Sequence, residues 1–138
     1  MSEQDAIVWI PQRAPFVFVD TIDDVNESHA VTRFSISEAC PLVADGVLPL
    51  AGLMENAAQT CAVRAGWVQK HQGADVKKGY IGAVKNMTVS RFPQVGETLR
   101  TEANLIQEVM NISLIECVIR VGEEVIATTT LKLATIDE

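Results

Sequence analysis

The residue types best suited to chemistry lie on one stretch, residues 48–70 (LPLAGLMENAAQTCAVRAGWVQK). Apolar residues occupy most of its helical circumference, which predicts a helix that is buried on most sides. Glu55 and Gln59 are four residues apart, so their side chains share one face of that helix. Burying a carboxyl group on an otherwise apolar helix costs free energy, so such a group is usually ion-paired or takes part in function. Glu55 is therefore a candidate acid or base, and the alternative is a structural ion pair with Arg13 or Arg64.

A second candidate stretch is the loop 11–15 (PQRAP), which a proline closes at each end. Because proline fixes its own φ and restricts the residue before it, this loop is expected to be stiff. Gln12 lies inside it, and a glutamine side chain has no titratable nitrogen to act as a base near neutral pH. The two histidines, His29 and His71, fall at a predicted strand and after the predicted helix, so neither is expected to lie in the loop.

Composition narrows the class of protein. The chain has 138 residues, of which 48% are hydrophobic, and no linker or repeat divides it, so residues 1–138 are predicted to form a single domain. The net charge of −7 argues against nucleic acid as a partner, because nucleic acid requires a basic surface. Three scattered cysteines, Cys40, Cys61 and Cys117, are typical of reduced cytoplasmic thiols rather than of a disulfide framework.

Several kinds of site lack a sequence signal. Neither a His/Cys cluster nor a carboxylate array with ligand spacing occurs, so no metal is expected. Dinucleotide-binding, P-loop and serine-hydrolase motifs are also missing, and no cofactor is expected. Polar residues interrupt the apolar helix too often for a membrane span, and the first residues do not resemble a signal peptide. The expected location is therefore the cytoplasm.

The apolar pattern predicts an α+β fold in which an antiparallel sheet wraps one long helix. A helix that is apolar nearly all round cannot be covered by one sheet, so a second subunit is expected to close the core. Gly82 is a candidate bulge or a site of close approach, whereas Asn111 and Gly122 are predicted turn residues. The predicted elements are a short helix over 2–10, strands over 16–25 and 29–36, the long helix over 48–70 ending before Gly73, and strands over 79–92, 97–107, 112–121 and 124–134.

Two motifs resemble the β-hydroxyacyl-ACP dehydratase family, whose members have the hotdog fold. Residues 10–20 (IPQRAPFVFVD) resemble the family's leucine- or isoleucine-proline-histidine-arginine-x-proline-phenylalanine pattern, and residues 52–62 (GLMENAAQTCA) resemble its helix with glutamate and glutamine four apart. Before the helix, typical members have a segment that contains a glycine-histidine-phenylalanine-proline-glycine loop. Residues 40–52 of this chain form a shorter segment in its place. This form resembles a divergent subgroup found in aryl polyene or flexirubin pigment clusters, some of whose members resemble accessory subunits of a dehydratase pair.

The resemblance implies a dimer with the acyl chain of a 3-hydroxyacyl thioester in a tunnel at the subunit interface. A histidine from the proline loop of one subunit removes the C2 proton, and an acidic residue on the partner's helix handles the leaving hydroxyl. On this chain Glu55 matches the acidic residue, Gln59 the glutamine that orients it, and Arg13 the motif arginine, here expected to bind substrate. Gly52 is a candidate N–H donor to the thioester carbonyl, or a site of tight packing. Gln12 occupies the histidine position.

Two hypotheses follow for the function. As an enzyme, the chain dehydrates 3-hydroxyacyl-ACP with Glu55 as the main group and Gln12 only orienting substrate or water, or hydrolyses acyl thioesters through water activated by Glu55. As a non-catalytic subunit, it completes the tunnel of a homologue that supplies the histidine. Expected partners are an acyl carrier protein and a second hotdog subunit, either identical or related. Lys77, Lys78 and Lys85 form either a patch for that acidic carrier or a solvated face.

Overall fold

A computed structural model describes residues 4–72 and 78–136 and shows one long helix packed on a six-stranded antiparallel sheet. The order of strands across the sheet is β1-β2-β4-β5-β6-β3. The predicted fold class, a hotdog-type α+β architecture, is confirmed. The elements are a 3-10 helix Ala6–Trp9, β1 Thr21–Val25, β2 His29–Ser35, α1 Leu50–His71, β3 Lys78–Val89, β4 Thr98–Val109, β5 Ile112–Val121 and β6 Glu124–Ile136.

The main core lies between α1 and one face of the sheet. Along β5 alternate residues are buried, as expected for a strand with one face on the core, and those residues are Ser113, Ile115, Cys117 and Ile119. From the helix side Leu53, Ala57 and Cys61 fill the same core. Cys61 and Cys117 face each other with their sulfur atoms 3.6 Å apart, and this contact together with burial raises the pKa of the Cys117 thiol. All three cysteines are free thiols.

The start of α1 is fixed by the turn between β3 and β4. The backbone N–H of Leu48 donates to the Pro93 carbonyl at 2.9 Å, and that of Val95 donates to the Gly46 carbonyl at 2.9 Å. Inside the turn Arg91 donates two hydrogen bonds to the Glu97 carboxylate, at 2.9 and 3.0 Å. The turn therefore sets the position of the helix N-terminus.

Changing Glu97 to glutamine is expected to lower the free energy of unfolding by about 1 kcal/mol near pH 7, allowing for the solvent screening of a partly exposed pair. Arg91, and then the Gln94 N–H, hold the pKa of the Glu97 carboxyl below its ordinary value of 4.5. Stability from a lowered pKa is present above the ordinary value and is lost as the pH falls through the lowered one. Urea unfolding of both proteins from pH 7 to pH 2 should show the difference shrinking to zero in acid, whereas Glu123→Gln should show none. A difference that persists undiminished at pH 2 would contradict this.

Two predicted elements at the N-terminal end are wrong in extent. Of residues 2–10, the structure shows a 3-10 helix over only Ala6–Trp9, and residues 2 and 3 lie outside the described part of the chain. The strand expected over 16–25 begins only at Thr21. In the first part of that segment the backbone forms hydrogen bonds with side chains of α1 rather than with a neighbouring strand. The other helix and strands begin and end within three residues of their predicted bounds.

Glycines lie at a bulge, at a turn and at a close approach between segments, although not all of them at predicted positions. The register of β3 and β6 shifts around Gly82, which confirms the predicted bulge. Gly122 adopts a φ of +60° in its turn, while the β4–β5 turn places Met110 at +57°. A Cβ on Gly66 would lie 2.2 Å from the Trp9 carbonyl oxygen, so only glycine lets the N-terminal segment approach α1 this closely. The expected helix end at Gly73 lies outside the described residues; α1 ends at His71.

Among residues 4–72 and 78–136, no helix combines the length and the apolarity needed to cross a membrane.

Candidate active site

Gln59 is the residue that connects the two candidate motifs. Its side chain is fully buried, and its Oε1 accepts a hydrogen bond from the Phe18 N–H at 2.7 Å. Its Nε2 donates to the Phe16 carbonyl at 3.1 Å and to Glu55 Oε2 at 3.2 Å. Because the amide bonds a donor at one end and two acceptors at the other, its orientation is fixed. Gln59 therefore holds Glu55 against the chain that leaves the proline loop.

The Glu55 carboxylate is exposed at the surface of the single chain, one helical turn from Gln59. The alternative interpretation, an ion pair with Arg13 or Arg64, is wrong for the single chain. Arg13 Nη1 donates to the carbonyl oxygens of Ile10 and Gln12, both at 2.7 Å. Arg64 is buried and lies 3.6 Å from the Glu108 carboxylate. Glu55 is thus a surface carboxylate oriented by an amide, available to a ligand or a second subunit.

Asn56 is a positioning residue that the sequence analysis did not identify. Its side chain is fully buried, its Nδ2 donates to the Phe18 carbonyl at 2.7 Å, and its Oδ1 accepts from the Thr101 hydroxyl at 2.6 Å. Together with Gln59 it satisfies both backbone groups of Phe18. The sequence feature that could have identified it is an asparagine within an otherwise apolar helix, because asparagine has a poor helix propensity.

The loop 11–15 carries Gln12 and Arg13 in different environments. Arg13 is exposed, and its guanidinium folds back onto loop carbonyls, so it stabilises the loop's own conformation. A substrate contact for Arg13 remains a prediction. Gln12 is partly buried, with its Oε1 atom turned inward and without a hydrogen-bond partner among the described residues.

Neither histidine lies at the proline loop. His29 Nε2 is 2.6 Å from the Asp24 carboxylate, and this hydrogen bond lowers the pKa of Asp24. His71 stacks on Trp67 with ring centroids 4.1 Å apart. It follows Glu55 by 16 helical residues, a separation of about 24 Å at 1.5 Å per residue. No histidine of the described single chain therefore replaces the missing base.

The N-terminus of α1 offers backbone donors beside Glu55, although not the one expected. The Gly52 N–H donates to the Pro49 carbonyl at 2.9 Å, so it is not a free donor. A Cβ on Gly52 would lie 2.3 Å from Leu48 Cδ1, which fits the alternative of tight packing. Leu50 and Ala51, the first two helical residues, are exposed. Since the first N–H groups of a helix have no intrahelical acceptor, theirs are the better candidates for a carbonyl oxygen.

Two further predictions concern a metal site and a basic patch. Within the described residues, no group of three or more His, Cys, Asp or Glu side chains could hold a metal ion. Lys85 is exposed on the sheet, whereas Lys77 and the side chain of Lys78 lie outside the described part of the chain. The basic patch therefore stays a prediction.

A family model described as ApeP-like, ApeP dehydratase, matches residues 5–138. The chain belongs to the ApeP-like dehydratase family. This confirms the resemblance drawn from residues 10–20 and 52–62. Among the curated relatives of this ApeP-like chain is a 3-hydroxyacyl-[acyl-carrier-protein] dehydratase FabZ of Lactiplantibacillus plantarum, 27% identical over 137 residues, covering 95% of the chain and 91% of the relative. The FabZ of Levilactobacillus brevis is 23% identical over 137 residues, covering 95% of the chain and 90% of the relative.

Solved structures show the same fold at low sequence identity. The dehydratase heterocomplex ApeI:P from Xenorhabdus doucetiae contains a chain that is 21% identical and superposes with a TM-score of 0.90, covering 97% of this chain and 92% of that one. A hypothetical thioesterase from Streptococcus pneumoniae with coenzyme A superposes with a TM-score of 0.70 at 10% identity, covering 85% of each chain. At these identities the likeness establishes the fold of the ApeP-like chain and leaves its activity to its own residues.

Proposed function

We propose that this ApeP-like chain is the acid-bearing subunit of a two-chain dehydratase that acts on 3-hydroxyacyl thioesters of a carrier protein. One observation carries the proposal: Glu55 is oriented by Gln59 at 3.2 Å, while the loop position that would carry a base holds Gln12. The acid half of the site is intact and the base half is missing. A related hotdog subunit with a histidine in its proline loop would supply what this chain lacks.

The chemistry divides between the two subunits as follows. The partner's histidine removes the C2 proton of the 3-hydroxyacyl thioester, and Glu55 gives its proton to the C3 hydroxyl, which leaves as water. The C2–C3 double bond forms, and the proton on the histidine returns to Glu55 through solvent. The N–H groups of Leu50 and Ala51 hold the thioester carbonyl oxygen as negative charge develops on it.

The comparisons support the pairing and the substrate class in different ways. The ApeI:P structure is a dehydratase made of two different chains, and a chain in it has this fold. The FabZ relatives are dehydratases whose names specify a 3-hydroxyacyl group on a carrier protein.

A self-sufficient dehydratase, or a thioesterase with water activated by Glu55, needs only this chain. Both alternatives predict activity from the purified chain alone.

The test is dehydration of a 3-hydroxyacyl-ACP by the purified chain, by a co-expressed histidine-bearing hotdog homologue from the same genome, and by the two together. We expect little turnover by this chain alone and turnover by the mixture. Gln12→His should raise dehydration by the chain alone by about 10²-fold or more, because a positioned base contributes 10²–10⁴ in rate. Gln94→His, an exposed glutamine in the β3–β4 turn, is the matched control and should gain nothing.

The outcomes separate the alternatives. Rapid dehydration by the native chain alone would show a self-sufficient enzyme and contradict the two-chain proposal. Release of free carrier thiol without an enoyl product would show a thioesterase. Failure of the chain to associate with any homologue, together with inactivity of Gln12→His, would contradict the proposal as a whole.

A further inference from the structure

The β4–β5 hairpin carries an exposed apolar patch that the proposed function does not use. Of the eight large hydrophobic residues exposed in the described chain, four lie within residues 106–112, and they are Ile106, Val109, Met110 and Ile112. Met110 is 95% exposed in the turn, so almost none of its side chain packs on this chain. Exposed apolar patches of this kind mark interaction surfaces. These four residues are called the hairpin patch below.

Two lysines lie beside the hairpin patch. A groove of about 230 Å³ is lined by Val109, Ile112 and Leu114 together with Lys85 and Lys132, and no acidic side chain of the described chain lines it. The groove is on the face of the sheet directed away from α1, because along β5 its residues alternate with those buried in the core. Neither lysine forms an ion pair with a described residue. The patch is therefore apolar with a cationic border.

The acidic groups nearest to the patch do not cancel these two charges. Glu108 is on the opposite face of the hairpin, where its carboxylate accepts the Ser113 hydroxyl at 3.0 Å and lies 3.6 Å from Arg64. On the face of the patch the nearest acidic residue of the described chain is Glu116, four residues from Ile112 and so about 13 Å along the strand. Charges beyond about 8–10 Å are largely screened at physiological salt, and this also limits the effect of the net charge of −7.

We propose that the hairpin patch binds this chain peripherally to a lipid bilayer that contains anionic phospholipids. The apolar side chains enter the boundary between headgroups and acyl chains, while Lys85 and Lys132 extend to the phosphates. The exposure of Met110 favours a bilayer over a protein partner, because a protein needs a pocket that matches this side chain, whereas a lipid boundary accepts it without one. Glu55 stays accessible in the bound chain, because α1 packs on the other face of the sheet.

The test is flotation of the purified chain with vesicles of phosphatidylcholine alone and of a three-to-one mixture of phosphatidylcholine and phosphatidylglycerol. We expect at least about tenfold tighter binding to the mixture, since each lysine near an anionic surface contributes about fivefold. Lys132→Gln should weaken binding to the mixture about fivefold. Met110→Asn, which suits the positive φ of the turn, should weaken it about tenfold. Val125→Asn is the matched control, because Val125 is exposed on β6 about 23 Å along the strand from Lys132, and it should bind as the native chain does.

The comparison of the two kinds of vesicle uses the native chain alone, so a misfolded variant does not decide the result. Failure of the native chain to float with either kind would overturn the inference, and equal binding to both would overturn the role of the two lysines. Binding that Met110→Asn and Val125→Asn weaken equally would show that the patch is not the site. Self-association that Met110→Asn abolishes, without vesicle binding, would assign the patch to a second copy of this chain and overturn the inference.

Discussion

Replacing Glu55 with glutamine is expected to lower dehydration by the two-chain assembly about 10²–10⁴-fold, the range that a positioned acid contributes. The substitution is nearly isosteric, and the new amide oxygen can still accept the hydrogen bond from Gln59 Nε2 that now reaches Glu55 at 3.2 Å. What it removes is the proton that the carboxyl group delivers to the leaving hydroxyl. Because the carboxylate is exposed in the single chain, we expect folding stability to change by no more than about 0.5 kcal/mol.

Two comparisons make this result interpretable. Glu116→Gln removes an exposed carboxylate from the face of β5 directed away from the helix, and it should leave turnover unchanged. Binding of the 3-hydroxyacyl thioester to Glu55→Gln should stay within a few-fold of native, so the loss appears in kcat rather than in affinity. Full activity of Glu55→Gln in an assembly with intact subunits would show that another group protonates the hydroxyl.

Asn56→Leu is expected to lower the free energy of unfolding by about 2–4 kcal/mol. The leucine keeps the branching at Cγ but leaves the Phe18 carbonyl and the Thr101 hydroxyl without the partners that Asn56 provides at 2.7 and 2.6 Å. Each orphaned buried group costs about 1–3 kcal/mol. Urea denaturation followed by circular dichroism measures the change, and Asn104→Leu, on the outer face of β4, should alter stability by no more than about 0.5 kcal/mol.

A double substitution tests the physical cause of that loss. Thr101→Val removes the hydroxyl that Asn56→Leu leaves unpaired, so the double variant should be more stable than the sum of the two single losses predicts. The remaining cost belongs to the Phe18 carbonyl. Strict additivity would mean that the hydrogen bond between Asn56 and Thr101 contributes nothing, and a loss below about 0.5 kcal/mol in Asn56→Leu would contradict the prediction itself.

The sequence was sufficient for the elements whose causes are local. The long helix, the bulge at Gly82 and the turn at Gly122 follow from helical periodicity and from glycine conformation, which depend on neighbours in the chain. The strand expected over 16–25 begins only at Thr21 because Asn56 and Gln59, about 40 residues after Phe18, bond the Phe18 backbone groups that a strand would pair. Similarly, the reason for Gly66 lies in the carbonyl of Trp9, more than 50 residues earlier.

The properties of the candidate site also separate into those that the sequence determines and those that tertiary packing determines. That Glu55 and Gln59 share a face, and that Gln12 has no basic nitrogen, are properties of spacing and residue type, so the sequence by itself determined them. Only the tertiary structure decided that Gln59 links Glu55 to Phe16, that Arg13 binds loop carbonyls instead of Glu55, and that the Gly52 N–H is already bonded. Each of these depends on which donor and acceptor come into contact when distant segments pack. A polar side chain has several possible partners, and only the packed structure determines which of them it bonds.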